Sequence, residues 1–245
     1  MRSTERYDSI DTLRGIAIVW MTIFHFSFDL NHFGWIRQDF YRDPVWTVQR
    51  TAIVSLFLFC AGLGQAVAVA QGQTWARFWR RWAQIAGCAV LVTIGSYFMF
   101  PKSYIYFGVL HGIAVMLIVV RATAGWGRWL WLAGAIAIAS KWVGAWAIAQ
   151  WPVLDFLNDR TWNWIGAISR LPITEDYVPL VPWMGVMWWG MAAGQWLLSS
   201  RRGLVAMGMP ETTAPLSWMG RWSLSWYMVH QPVLIGLLTA VQTLR

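Results

Sequence analysis

The sequence predicts an all-α, polytopic transmembrane helix bundle of about seven spans with a cytoplasmic N-terminus. Three observations carry that expectation. Of 245 residues, 58% are hydrophobic and only 12% are charged, about half the charged share of a soluble domain. The apolar residues gather in runs of about 20, the length a helix needs to cross a hydrocarbon core. Twenty-one tryptophans suit the membrane–water interface, where amphipathic rings settle.

In chain order the candidate spans are Leu13–Phe33, Thr47–Ala70, Trp79–Phe100, Tyr104–Val120, Trp126–Gln150, Leu180–Leu198 and Leu216–Val241. The fourth is short. The segment Trp151–Pro179 is polar enough to form a long loop, and within it Trp162–Ile168 can lie on the membrane surface, so an eighth short helix is allowed. The whole of 1–245 reads as one domain, with 151–179 as an outer loop inside it. Orientation follows from Lys and Arg. With the N-terminus inside, eleven fall on the cytoplasmic side, Arg2, Arg6, Arg77, Arg121 and Arg202 among them, against seven outside, which include Arg37, Arg160 and Arg245. The net charge of +8 is therefore that of loop arginines that set topology and contact lipid headgroups, and nucleic-acid binding is not expected. Cys60 and Cys88 sit in apolar runs without zinc-like spacing, so neither a metal site nor a disulfide is expected. No small-residue cleavage site follows the first run, which is expected to stay in the mature protein.

The stretch "FHFSFDLNHFG" places His25 and Asp29 four residues apart inside the first span. A helix rises about 1.5 Å per residue, which puts His25 roughly 18 Å and His230 roughly 21 Å from the inner face, with His111 at a similar level on a third helix. Ionisable groups at such depth are costly and face a bundle interior or a watery cavity. A single intramembrane histidine is as readily a hydrogen-bonded packing residue as a functional one. Three at one depth, with an acid one turn away, point to a cavity with a general base. His32 reads as a surface residue near the outer interface.

Other motifs admit two readings. Asp11 and Arg14 in "DSIDTLRG" form a helix cap and a topology signal, or a cationic entrance for an anionic ligand. Gly108 and Gly112 around His111 allow close helix packing. Asp176 and Tyr177, just before Leu180, form a helix-entry turn or a grip on a hydroxyl-rich substrate. In "GRWSLSWYMVHQPVL", Arg221, Tyr227, His230 and Gln231 precede or flank Pro232, which is expected to kink the helix and free a carbonyl.

Taken together, "SIDTLRGIAIVWMTIFHFSFDL", "SLFLFCAG", "YFGVLHGIAV", "DYVPLVPWMGV" and "GRWSLSWYMVHQPVL" resemble the bacterial members of the heparan-alpha-glucosaminide N-acetyltransferase family. The first motif alone is shared with the wider acyltransferase family 3. The resemblance runs from Tyr7 to about Leu234 and implies a multi-pass inner-membrane acyltransferase. Acetyl-CoA would donate from the cytosol to an amine or hydroxyl of an envelope sugar or glycan outside. His25, Asp29, His111 and His230 are then the catalytic candidates, with His32 the alternative to His25 as the base. Asp11, Arg14 and Arg221 would hold the donor, while Asp176, Tyr177, Trp183, Tyr227 and Gln231 would meet the acceptor. No metal is implied, and a homo-oligomer is compatible with it. The competing class is a small proton-coupled transporter using the histidines as a relay, against which the lack of an internal repeat counts.

Overall fold

Apolar runs of this length leave the backbone no partner but itself in a membrane, and helices result. The structure, a computed structural model, describes residues 7–201, 203 and 209–244. Arg2, Arg6, Arg202 and Arg245, counted toward orientation, lie outside the described residues. The helices are α1 (Asp8–His32), α2 (Pro44–Ala70), α3 (Trp75–Met99), α4 (Val109–Ala122), α5 (Trp129–Gln150), α6 (Leu180–Ser200), α7 (Ala214–Arg221) and α8 (Ser223–Thr243). Five of them, α1, α2, α3, α5 and α8, are long and apolar enough to cross a membrane. No more than 39% of the apolar window of any of these is buried, so their outer faces present hydrocarbon to the surroundings. Phe98, Ile136, Val143 and Leu237 are among the side chains so exposed.

The chain falls into two compact units. In the first, residues 58–201, α6 is the central element. Gly190 meets the backbone of α2 at Phe59, where an added Cβ would lie 2.2 Å from the Phe59 carbonyl oxygen, and Gly185 meets α5 at Gly134 in the same way. Such backbone-to-backbone approach is how helices pack when lipid gives no hydrophobic drive between them. Trp188 Nε1 donates to Thr123 Oγ1, tying α6 to the residue after α4.

The second unit joins residues 7–57 to 203 and 209–244. Helix α7 lies against the start of α1. An added Cβ at Gly220 would stand 1.8 Å from the Asp11 carbonyl oxygen, and one at Gly15 would stand 2.0 Å from that of Leu216. Helix α8 is tied to α1 by Trp226 Nε1, which donates to Thr22 Oγ1 at 2.9 Å. Ile18, Met21, Phe24, Phe40 and Ile53 form the core, flanked by Trp46 and Tyr227.

Four local expectations change. The fourth run becomes helical only at Val109. Residues 104–108 are irregular: Phe107 pairs with Tyr177 in an isolated parallel bridge, Val178 N donates to Phe107 O, and Thr174 Oγ1 donates to Tyr104 O. Their backbone groups serve the 174–178 segment rather than a helix. Gly108 and Gly112 accordingly face that segment, at the Asp176 carboxylate and the Val178 carbonyl, and not a neighbouring helix. The last run is two helices, broken at Trp222, and Pro232 lies inside the second of them. The 151–179 loop contains 3₁₀ turns at Pro152–Asn158 and Asn163–Ile165 and no α-helix.

Candidate active site

In the second unit α1 and α8 bring four polar side chains together. The ring centroids of His25 and His230 are 5.0 Å apart and nearly edge to face. The spacing suggests that Asp29 orients His25 directly, but the two side chains do not bond. Gln231 stands between them: its Nε2 donates to Asp29 Oδ1 at 2.7 Å, and its Oε1 lies 2.8 Å from His25 Nδ1. The i,i+4 spacing aims both side chains to one face of α1, and a single amide from α8 spans the gap.

His230 Nδ1 lies 2.8 Å from Tyr227 O and 3.2 Å from Trp226 O. Carbonyls only accept, so Nδ1 carries the proton and Nε2 a lone pair. His230 is 7% exposed and Asp29 3%. His230 Nε2 and Asp29 Oδ2 are buried without a hydrogen-bond partner among the described residues. Buried polar atoms are nearly always paired, and here two orphans stand within one cluster. Tyr227 lies beside His230 at 5.9 Å and leans on the unit core. His32 is exposed on the last turn of α1, against Phe33.

At the opposite end of α1 a charge cluster forms. Helix α1 starts at Asp8, with Tyr7 preceding it, so Asp11 does not cap it. Asp11 is instead 2% exposed and takes Arg14 Nη1 at 3.1 Å, with Arg221 Nε at 3.8 Å on its other oxygen. Arg221 Nη2 also meets Asp8 Oδ1 at 2.7 Å. Sequence-distant Arg14 and Arg221 are thus joined through one buried carboxylate.

The remaining sequence candidates belong to the first unit. His111 is in the first turn of α4, rather than seven residues along a span. Its Nδ1 accepts from Gly108 N at 3.2 Å, and its Nε2 is 3.0 Å from Thr93 Oγ1. Asp176 Oδ2 accepts from Val109 N at 2.7 Å and so caps α4. Tyr177 donates its hydroxyl to Asn163 O at 2.6 Å, and burial pushes its phenol above the ordinary value. Trp183 stands half-buried in the first turn of α6. Among the described residues no group of three or more His, Cys, Asp or Glu could hold a metal ion, and Cys88 is a free thiol.

The family model described as heparan-alpha-glucosaminide N-acetyltransferase, catalytic, matches residues 6–232. The chain belongs to that family. Comparison with curated proteins and with solved structures gives no significant match. Membership in the heparan-alpha-glucosaminide N-acetyltransferase family, with five apolar helices long enough to span, makes this a multi-pass membrane protein of an acetyltransferase family. The matched region contains both the His25–His230 cluster and the Arg14–Arg221 cluster.

Two features of this family member escape the sequence. Asn163 is 2% exposed, accepts from Tyr106 through its side chain and holds Tyr177 through its carbonyl. Nothing in a polar loop distinguishes one asparagine from another. The second is a pocket of about 480 Å³ formed after α1 by Asn31, Arg37, Gln38, Asp39 and Tyr41. Its signal was available in the density of polar and aromatic residues in "NHFGWIRQDFYRD" directly after the first span.

Proposed function

We propose that this protein moves an acetyl group from cytosolic acetyl-CoA to an amine or hydroxyl of a sugar or glycan on the outer side of the bacterial inner membrane. The observation that carries this reading is His25. Its Nδ1 is anchored by Gln231, while no hydrogen bond from a described residue reaches its Nε2. An imidazole held at one nitrogen and open at the other is what a general base needs. In the reaction His25 Nε2 takes the proton of the acceptor N–H or O–H as that atom attacks the thioester carbonyl. The new C–N or C–O bond forms, the C–S bond breaks, and the proton passes to the departing CoA sulfur.

Arg14 and Arg221 fit the donor's phosphates. Their side chains are 28% and 43% exposed, and each spends only part of a five-donor guanidinium on Asp8 or Asp11. His25 follows Arg14 by eleven residues, about 16 Å along α1, a separation of the order of an extended pantetheine arm. The open hollow at the other end of α1 is the proposed place for the acceptor's sugar ring, where Arg37 and Asp39 offer polar contacts and Tyr41, 63% exposed, offers a ring face. In this reading Asp176 and Tyr177 shape the entry to α4 rather than grip substrate.

Two measurements test the proposal. A ligand bound only by the native state stabilises it by about 2.7 kcal/mol at a hundredfold excess over its dissociation constant, so acetyl-CoA is expected to raise the melting temperature of the purified protein. With acetyl-CoA and glucosamine as probes, His25→Ala is expected to lower kcat by about 10²–10⁴-fold. Parental turnover by His25→Ala would remove His25 from the role of base.

A further inference from the structure

The Asp29–Gln231–His25 chain has a direction. Asp29 as a carboxylate can only accept, so the Gln231 atom facing it at 2.7 Å is the NH₂ nitrogen. The amide oxygen then faces His25 Nδ1 at 2.8 Å. An amide oxygen also only accepts, so the proton of neutral His25 resides on Nδ1. The lone pair is left on Nε2, the nitrogen that no described residue occupies. A carboxylate on one helix thus fixes the flip of an amide on another, and the amide fixes which nitrogen of the imidazole is basic.

We infer that Gln231 is a positioning residue of acetyl transfer, holding His25 in the tautomer that leaves Nε2 free to accept the substrate proton. The inference rests on His25 as the base. Without the amide oxygen, the neutral ring is free to place its proton on Nε2, where it cannot act as a base. In Ser-His-Asp hydrolases the wrong histidine tautomer costs about 10⁴-fold in kcat. Asp29 acts one step further back, since the one described hydrogen bond of its carboxylate orients the amide. The ionisable groups facing this chain are His25, Asp29 and His32 from α1 and Tyr227 and His230 from α8. His230 offers a second lone-pair nitrogen beside the first and does not contact Gln231 in place of His25.

The test pairs Gln231→Leu with Gln231→Glu. Leucine removes the acceptor and the donor. A glutamic acid that carries its proton reproduces both contacts, its O–H donating to Asp29 and its carbonyl oxygen accepting from His25 Nδ1–H. Once ionised it opposes Asp29 and loses that geometry. With acetyl-CoA and glucosamine as probes, Gln231→Leu is expected to lower kcat by about 10²–10³-fold at every pH, with KM for acetyl-CoA changed less than about threefold. Gln231→Glu is expected to recover most of the lost kcat at the acidic end of the profile and to fall toward the leucine variant as pH rises. A merely structural role predicts the reverse order, because a buried carboxyl beside Asp29 would disrupt packing more than leucine does. Nitrogen-15 spectra of histidine-labelled protein, with His25 assigned by its alanine variant, give a readout independent of turnover. They are expected to show the Nδ1–H form in the parent and its loss in Gln231→Leu. A parent spectrum with His25 protonated on Nε2, parental kcat in Gln231→Leu, or Gln231→Glu no better than Gln231→Leu at every pH would each overturn the inference. A protein that shows the Nδ1–H form but transfers no acetyl group would overturn the proposed reaction and leave the tautomer assignment standing.

Discussion

At His111 both ring nitrogens are committed. Gly108 N–H donates to Nδ1, so the proton of the neutral ring is on Nε2, directed at Thr93 Oγ1, which in turn donates to Ile105 O. A ring so held links α3 to the entry of α4 and leaves no lone pair for a substrate. His25 differs from it in its opposite tautomer and its open Nε2, the feature on which its proposed role as base rests. His111→Phe is therefore expected to lower the melting temperature, through polar partners left unpaired at about 1–3 kcal/mol each. The kcat of the folded fraction should stay within about tenfold of the parent, short of what loss of a base costs. Asp176→Ala belongs to the same class, since it removes the cap on Val109 N–H, and a lost cap costs about 0.5–2 kcal/mol. A raised KM for the amino sugar with unchanged melting temperature would instead make Asp176 a substrate contact. The sequence makes the residue types and the His25–Asp29 face legible. It does not show Gln231 between them, because that contact joins residues 206 and 202 positions apart in the chain. Nor does it distinguish His111 from His25, because a histidine's hydrogen-bond partners leave no periodic trace.

Helices α1 and α7 meet so closely that no side chain fits between them at Gly220 and Gly15. This contact sets where Arg221 stands relative to Asp8 and Asp11, since Arg221 is the last residue of α7. Gly220→Ala should force α7 away from α1, because the obstructing atoms are backbone and cannot swing aside. The expected cost is at the upper end of the roughly 1–3 kcal/mol of overpacking, read as a fall in melting temperature, together with weaker acetyl-CoA binding by calorimetry. Gly236→Ala on α8 is the control. Nothing lies within 4 Å of its added Cβ, and glycine inside a helix is worse than alanine by about 0.5–1 kcal/mol, so this change should be neutral or stabilising. Equal destabilisation by both would mean that the α1–α7 approach has no special weight. Elements of this kind are only partly readable from sequence. Hydropathy finds each apolar run, since every one of the seven contains a helix. It misses the late start of α4 and the break at Trp222, because there the backbone's partners are a distant loop and a turn rather than the next residues along.

Across the whole molecule, the arginine distribution and the two ends of α1 point the same way. A helix of 25 residues is about 37 Å long, enough to cross the bilayer. Arg14 stands near its start, on the side that the positive-inside rule assigns to the cytosol. His25, Asp29 and the Asn31–Tyr41 pocket stand toward its other end. A donor recognised by its phosphates should therefore arrive from the cytosol, and a sugar from the opposite face. In sealed vesicles with the native cytosolic face outward, external acetyl-CoA is expected to acetylate a membrane-impermeant amino sugar enclosed in the lumen. The same sugar supplied only outside should remain unmodified until the vesicles are permeabilised. Arg14→Ala should raise the external acetyl-CoA concentration needed and leave the sugar's sidedness unchanged, because the proposed role of the arginine is confined to the donor. If product forms equally well with both substrates outside intact vesicles, the two ends of α1 do not serve two substrates. The path from Arg14 to His25 would then be the length of a helix and nothing more.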